Sequence, residues 1–195
     1  MHAPTQAFSP TIALLRTRRS LKPNELTGPG PSPADLDTLL TIASRVPDHG
    51  KLAPWRFIVF DGDARFRAGE AIAAAFVVKY PTSKPDQIEY ERQRLARAPL
   101  VIAVVSRAAA HVKIPEWEQM LSSGAAAMNL VIAANALGFG AAWLTEWYAY
   151  DRSVLDAFGL APHERIAGFI HIGRPTHVPD DRPRPALADI VTQFE

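Results

Sequence analysis

The spacing of apolar residues along the chain predicts alternating helices and strands. From Leu36 to Ala43 the apolar residues recur at helical intervals. Ser32 is a suitable N-cap, and Pro33 fits the first turn of a helix. Because Pro47 disfavours helical geometry in the residue before it, we expect this helix to end by Arg45.

Two segments have the composition of strands. Leu100–Val105 is apolar throughout, which is typical of a strand buried on both faces. Trp55–Phe60 is aromatic and β-branched and is followed by an Asp-Gly-Asp turn. Two further strands are expected at about 141–146 and 166–172. Mixed with helices, they predict an α/β or α+β sandwich around one sheet.

The remaining segments complete a single domain that spans residues 1–195. Helices are expected at about 10–18, 64–79 and 86–97, in the alanine-rich run that ends at Gly138, and after Asp151. The charges of 86–97 predict a solvated helix face. We see no internal repeat and no long linker, and we expect the proline-rich last twenty residues to form an extended arm.

Composition narrows the function classes. The 195 residues carry a formal net charge of +1 and are 48% hydrophobic, which favours neither a nucleic-acid-binding protein nor a disordered chain. Cysteine is absent, so redox chemistry would require a cofactor. The six histidines are scattered, and none has metal-ligand spacing with another, so no metal site is predicted.

Targeting signals are weak. The first 24 residues lack acids and faintly resemble a transit peptide, but no basic segment followed by a long apolar one predicts a signal peptide. Gly124–Leu144 is a poor membrane span because it contains five Gly or Asn residues. We therefore expect a cytoplasmic protein without membrane association.

A basic cluster, Arg16-Thr17-Arg18-Arg19-Ser20, follows the first predicted helix. Guanidinium groups and a hydroxyl within one turn suit the oxygens of a phosphate monoester. The alternative is structural, because cations in the last turn of a helix are favoured by its dipole. Since Pro23 pushes Lys22 out of helical geometry, the helix should end near Arg18 to Ser20.

Three other segments have both a functional and a structural interpretation. Pro47–Lys51 places a carboxylate, an imidazole and an ammonium in one loop before a strand, although it can equally be an exposed turn. Trp143-Leu144-Thr145 can line a ligand or belong to the core, and Gly138-Phe139-Gly140 favours a plain helix stop. Motifs of nucleophile elbows, zinc proteases and nucleotide-binding loops are absent from the sequence.

Taken in order, these segments resemble the nitroreductase family, in particular its short NAD(P)H nitroreductase group. The match extends over almost the whole chain. It rests on Arg18-Arg19-Ser20, on Arg45–Lys51 followed by Pro54-Trp55-Arg56-Phe57, on Arg97-Ala98-Pro99, on Lys113-Ile114-Pro115 with Trp117-Glu118-Gln119, on Gly138-Phe139-Gly140, on Trp143 and on Gly173-Arg174-Pro175.

The resemblance implies a three-layer sandwich with a central mixed, mainly antiparallel sheet, in an intertwined homodimer that holds FMN between its subunits. Arg18, Arg19 and Ser20 would bind the phosphate and ribityl end of FMN, and Trp143, Leu144 and Thr145 would line the flavin of the same subunit. The second subunit would contribute Arg45 and His49. Arg174 would be a further phosphate contact.

The same resemblance implies the activity. NADH or NADPH would reduce FMN near Ala133, Ala134, Asn135, Ala136, Leu137 and Gly138, and a nitroaromatic, quinone or similar electron-poor acceptor would then be reduced in a ping-pong cycle. No catalytic acid or base is assigned, although His49 or Lys51 could polarise the acceptor. The alternatives are a flavin-binding protein without significant turnover, a reductive dehalogenase or dehydrogenase that uses the same flavin site, and a generic phosphate-ligand module.

Overall fold

A computed structural model of the chain describes residues 9–194 as one sheet with helices on both faces. The helices are α1 (Pro10–Thr17), α2 (Pro33–Ala43), α3 (Ala64–Lys79), α4 (Pro85–Arg92), α5 (Glu116–Ala136), α6 (Arg152–Ala157) and α7 (Leu187–Ile190). The strands are β1 (Leu26–Thr27), β2 (Trp55–Asp61), β3 (Leu100–Ser106), β4 (Gly140–Leu144) and β5 (Arg165–Pro175).

The long strand β5 organises the sheet. Its residues 169–172 have partners in both β3 and β4, so β5 lies between these two strands. Strand β2 pairs with the other side of β3, and the short β1 pairs with the end of β5. All four pairings described within residues 9–194 are antiparallel, in agreement with the mainly antiparallel sheet that was expected, and none of them is parallel. The predicted α+β sandwich is confirmed.

Strand β3 divides the core into two layers, because successive side chains of a strand point to opposite faces. Leu100, Ile102 and Val104 pack with α2 and α5 on one face. Val101, Ala103 and Val105 pack with α3 and α6 on the other. Every residue of this strand is buried, as its uniformly apolar sequence predicts.

Local sequence signals fix several boundaries. Ser32 Oγ accepts a hydrogen bond from the Asp35 N–H at 3.2 Å, and the Asp35 carboxylate accepts one from the Ser32 N–H at 3.0 Å. This capping box starts α2 directly before Pro33. The predicted bounds of α3 are observed, and α1 ends at Thr17, close to the expected position.

The prediction of a solvated helix over residues 86–97 is correct for most of α4 and wrong beyond it. Helix α4 ends at Arg92, and Glu91 is buried. Beyond the helix, Arg94 pairs with Glu91 and Glu146, both at 2.7 Å, and Arg97 also contacts Glu146. The acidic partner at position 146 is distant in sequence, so the helical charge pattern could not reveal that these arginines face inwards.

Neither a membrane-spanning helix nor a metal-binding cluster is found among the described residues. Among residues 9–194, no helix is long and apolar enough to cross a lipid bilayer. The same part of the chain contains no group of three or more His, Asp or Glu side chains that could hold a metal ion.

A bidentate ion pair ties β2 to the loop before β5. Arg56 donates from Nε and Nη2 to the two carboxylate oxygens of Glu164, each at 2.7 Å. The Glu164 carboxylate also accepts from the Ala161 N–H at 2.8 Å. The Arg56 hydrogen bonds are the main reason that the pKa of Glu164 is lowered to about 2.

We expect Glu164→Gln to lower the free energy of unfolding at pH 7 by about 1–3 kcal/mol, because it leaves Arg56 with an uncharged partner. The Glu164 pKa is depressed in the folded protein, so its stabilising effect is present above its ordinary pKa of 4.5 and is lost as the pH falls towards 2. The wild-type and variant curves should therefore converge on acidification.

Urea titrations between pH 7 and pH 3 would measure this convergence. The control is Glu70→Gln, since Glu70 pairs with Arg92 at the surface and exposed pairs contribute little. A constant difference between wild type and Glu164→Gln across the pH range would contradict the prediction.

Candidate functional site

The basic clamp, which we define as Arg18, Arg19 and Ser20, lies against the edge of β4. The backbone leaves helical geometry at Arg18, where φ is −58° and ψ is 141°. Three residues later the Leu21 N–H donates to the Ala141 carbonyl of β4 at 3.3 Å. This hydrogen bond attaches the segment after the clamp to β4, the strand that carries Trp143. The clamp and Trp143 can therefore belong to one site.

A close approach at Gly140 permits this contact. A Cβ atom at this position would lie 2.6 Å from a Leu26 methyl group and 2.8 Å from one of Leu21, distances that real Cβ atoms essentially never show. Glycine at 140 therefore lets the segment after the clamp pack directly on β4.

The clamp is crowded with positive charge. Burial, together with the charges of Arg184, Arg19 and Arg182, lowers the pKa of the Arg18 guanidinium. Arg19 Nη1 donates to the Asp180 carbonyl at 2.9 Å and to Asp181 Oδ1 at 3.1 Å. A cluster of positive charges of this kind attracts anions and favours the binding of an anionic ligand.

Sequence reasoning missed the C-terminal residues 180–184 at this position. They are about 160 residues from the clamp, and their only signal is the charged run Asp-Asp-Arg-Pro-Arg within the proline-rich arm. A contact at this separation depends on the path of β5 and the arm, which no local pattern specifies.

Trp143 lies on β4 beside a cavity of about 390 Å³. Its Nε1–H donates to the Ala167 carbonyl at 3.0 Å, and the residue remains 38% exposed. A Cβ at residue 168 would lie 2.0 Å from Nε1, so Gly168 makes the space that the indole occupies. Leu144 is half-buried and Thr145 is exposed, so each leaves surface for a ligand.

The residues after Thr145 are anchored in the core. Glu146 binds Arg94 and Arg97, as described above, and Tyr148 donates to its carboxylate at 2.6 Å. Burial would raise the pKa of Glu146, but the hydrogen bonds from Arg97 and Tyr148 outweigh it and hold the pKa below its usual value. This network anchors the residue that directly follows Trp143-Leu144-Thr145.

His171 lies on β5 and is fully buried in the core. Burial, reinforced by Arg97, lowers its pKa to about 4, and the imidazole is therefore neutral near pH 7. Its Nδ1 has no hydrogen-bond partner in the described part of the chain.

The predicted functional loop at Pro47–Lys51 has an unusual backbone. Gly50, Lys51 and Ala53 have φ values of 71°, 56° and 45°, and two of these three residues are not glycine. For the two non-glycine residues such conformations cost about 1–3 kcal/mol each, and they persist where other contacts hold them. The Asp48 carboxylate does so by accepting from the N–H groups of residues 52 and 53, at 3.0 and 2.9 Å.

This loop is attached to the first half of α5. His49 Nδ1 lies 2.7 Å from Glu118 Oε2, and Ser122 Oγ donates to the Pro47 carbonyl at 2.6 Å. A second cavity, of about 340 Å³, opens between the loop and the helix. Arg45 is exposed, and its carbonyl accepts from the Asn129 side chain at 3.0 Å.

The two cavities border different residues of α5. The cavity beside Trp143 is bordered by Met120 and Gly124, and the cavity beside His49 by Leu121 and Ala125. Within one chain, the residues that the sequence predicts for the site therefore lie in two separate groups. The clamp and Trp143 make one group, and the loop with His49 makes the other.

Arg174 is engaged at the turn between α5 and β4. Its guanidinium carbon lies 4.1 Å from the centre of the Phe139 ring, and Nη1 donates weakly to the Gly138 carbonyl at 3.4 Å. Its role as a phosphate contact stays a prediction.

The predicted nicotinamide segment 133–138 is unevenly accessible. Ala133 and Ala134 are buried in the core, Asn135 and Leu137 are half-buried, and Ala136 and Gly138 are exposed. Nicotinamide binding here also stays a prediction, and only the more exposed members could contact a ligand through this surface.

Solved structures place the fold in a known class. The chain superposes on the nitroreductase-like family protein of Bacillus cereus with a TM-score of 0.85 and 21% identity, covering 98% of this chain and 99% of that one. It also superposes on a structure from Desulfovibrio desulfuricans, titled a "putative nitroreductase in complex with FMN", with a TM-score of 0.74 and 25% identity, covering 97% and 99%. The architecture is therefore the nitroreductase-like fold.

The sequence identifies the family. The sequence model of the family described as "Nitroreductase family" matches residues 15–174. The chain therefore belongs to this family. Escherichia coli K12 has a relative named "Putative NAD(P)H nitroreductase YdjA", which is 34% identical over 179 residues, covering 88% of this chain and 96% of that protein. A relative from Haemophilus influenzae, named "Putative NAD(P)H nitroreductase", is 37% identical over 164 residues, covering 83% of this chain and 86% of that protein.

We expect Gly168→Ala to lower the free energy of unfolding by about 1–3 kcal/mol, because the new methyl group overlaps the indole of Trp143. The cost should be smaller in a Trp143→Phe background, where the five-membered ring that meets the methyl group is absent. Urea unfolding of wild type, both single variants and the double variant would measure the coupling. Equal costs in the two backgrounds would contradict this account.

Proposed function

We propose that this protein is an FMN-dependent NAD(P)H oxidoreductase. The observation that carries the proposal is the basic clamp held against the strand that presents Trp143 beside a cavity. The family membership supports it, as do the FMN complex of the Desulfovibrio desulfuricans structure and the names of the bacterial relatives. We also propose the cytoplasm as its compartment, since the reductant would be NAD(P)H.

The residues of the site fit FMN. The clamp combines two half-buried guanidinium groups with the exposed Ser20 hydroxyl, which suits a phosphate of about −1.5 to −2 charge. The exposed Trp143 and Thr145, with Leu144 between them, give the isoalloxazine ring a surface to pack against. When bound, FMN supplies the hydride chemistry, while the chain binds and orients the cofactor.

We propose a homodimer in which α5 forms the interface. The first half of this helix exposes large apolar side chains, namely Trp117, Met120 and Leu121. An exposed apolar surface of this kind is typical of a protein interface. A twofold axis along this surface would bring the His49 group of one chain towards the Trp143 group of the other, which would unite Arg45 and His49 with the flavin site.

Reductant and acceptor would use the cavity beside Trp143 in turn. Its volume of about 390 Å³ lies in the range of small-ligand sites. Met120, Ile166 and Ala167 give it apolar walls, which suit a planar, electron-poor acceptor such as a nitroaromatic or quinone. We propose a ping-pong order, in which oxidised nicotinamide leaves before the acceptor enters, and nicotinamide contacts extend towards the exposed residues of segment 133–138.

We expect the purified protein to bind FMN and, under anaerobic conditions, to lose the flavin absorbance near 450 nm within about minutes of adding NADH or NADPH. A nitroaromatic or quinone added afterwards should restore the absorbance. Failure to bind FMN would overturn the proposal, and binding without reduction by either nucleotide would favour a flavin carrier without turnover.

A matched variant tests the assigned cofactor contacts in the same assay. Arg18→Ala should weaken FMN binding about tenfold or more but change riboflavin binding little, because hydrogen bonds to charged groups are worth about 1.5–3 kcal/mol and riboflavin has no phosphate. The control is Arg16→Ala, in the last turn of α1. Equal losses for both ligands would contradict a phosphate contact.

We expect Leu121→Glu to convert the dimer into monomers and to reduce FMN binding, because a charge in an apolar interface must be desolvated without a partner. Light scattering coupled to size-exclusion chromatography would measure the mass. The control is Val78→Glu, an apolar and still more exposed position on α3 that should leave the dimer intact. A wild-type protein that is already monomeric would refute the proposed interface.

A further inference from the structure

The chain after β5 returns to the basic clamp. The N–H and the hydroxyl of Thr176 both donate to the Glu25 carbonyl, at 3.0 and 3.1 Å, which holds the start of the arm beside the residues that follow the clamp. Further along, Arg19 Nη1 donates to the Asp180 carbonyl and to the Asp181 carboxylate, at 2.9 and 3.1 Å. The arm thus places an anion on one of the two clamp arginines.

The side chains of Arg19 and Asp181 differ in how freely they can move. The Arg19 side chain is only 15% exposed, whereas the Asp181 side chain is 80% exposed. A guanidinium enclosed by the fold has few alternative positions, while a carboxylate on an exposed arm can move into solvent. Because exposed ion pairs are weak, Asp181 is the partner that can leave.

The charges around the clamp also favour exchange of this carboxylate for a stronger anion. Arg182 and Arg184 lie close enough to Arg18 to lower its pKa, so the single charge of Asp181 does not balance the four guanidinium groups. The hydrogen bond from the Arg182 N–H, followed by that from Arg19, lowers the pKa of Asp181 and keeps it ionised. A phosphate monoester brings more charge and three acceptor oxygens.

We infer that Asp181 competes with the phosphate of FMN for Arg19 and thereby sets how tightly the protein holds its cofactor. This inference rests on the proposed function. Arg19 Nη1 has two hydrogens, and the Asp180 carbonyl and the Asp181 carboxylate each accept from this nitrogen. A phosphate oxygen can therefore accept from Nη1 in place of Asp181 only when that carboxylate moves away. Asp181 is therefore a determinant of cofactor affinity and not a ligand of the cofactor.

A pair of neighbouring substitutions separates this contact from general charge effects. Asp181→Asn removes the competing carboxylate, whereas Asp180→Asn makes the same change in net charge at a residue whose contact with Arg19 is through its backbone carbonyl. Both positions are exposed, so both variants should fold. FMN and riboflavin are titrated into the flavin-stripped full chain and followed by flavin fluorescence.

We expect Asp181→Asn to tighten FMN binding about two- to fivefold, the range that follows from the worth of an exposed ion pair. Riboflavin affinity should not change, because riboflavin lacks the phosphate. Asp180→Asn should leave both affinities as in wild type. Inorganic phosphate, tested by its thermal stabilisation of the protein, should give a larger shift with Asp181→Asn than with wild type.

Three results would overturn the inference. Unchanged or weaker FMN binding by Asp181→Asn would mean that the carboxylate does not compete, or that it holds the arm in a useful position. Equal tightening by Asp180→Asn would indicate a general charge effect, and equal tightening of riboflavin would exclude the phosphate. If wild type binds no FMN but the phosphate shift still grows in Asp181→Asn, the proposed function fails while the competition at Arg19 stands.

Discussion

The close contact between the segment after α1 and the edge of β4 is the constraint on which the candidate site depends. It consists of the hydrogen bond from Leu21 to Ala141 and of the space left by the missing side chain at Gly140. Through it, the segment that carries the basic clamp is attached to the strand that carries Trp143. A wider separation would leave the cationic helix end and the exposed indole as two unconnected features.

Of two charged clusters in this region, the Glu146 network has equal numbers of arginines and glutamates, whereas the clamp has an excess of arginines. In the Glu146 network, two arginines meet two glutamates inside the protein, and the charges compensate one another without a ligand. At the clamp, four guanidinium groups are gathered and Arg19 meets one exposed carboxylate. The first arrangement stabilises the fold next to residues 143–145, whereas the second leaves positive charge for an anion to neutralise.

Much of the fold could be predicted because its signals are local. The capping box of Ser32 and Asp35, the bounds of α3 and the buried strand β3 all follow from residues close together in sequence. The part of the charged segment 86–97 beyond α4 was misread because helical spacing of opposite charges is typical of a solvated face, and the deciding partner, Glu146, lies 52 residues beyond Arg94.

Among the site residues, the arginines of the clamp, the loop at Pro47–Lys51 and Trp143 can be found from short motifs along the chain, because neighbouring residues are enough to recognise them. Three features depend on the folded chain: residues 180–184 meet the clamp, Gly168 makes room for Trp143, and the two cavities border different residues of α5. The physical reason is sequence separation, because Arg19 and Asp181 are 162 residues apart and their contact is specified by the path of the whole sheet.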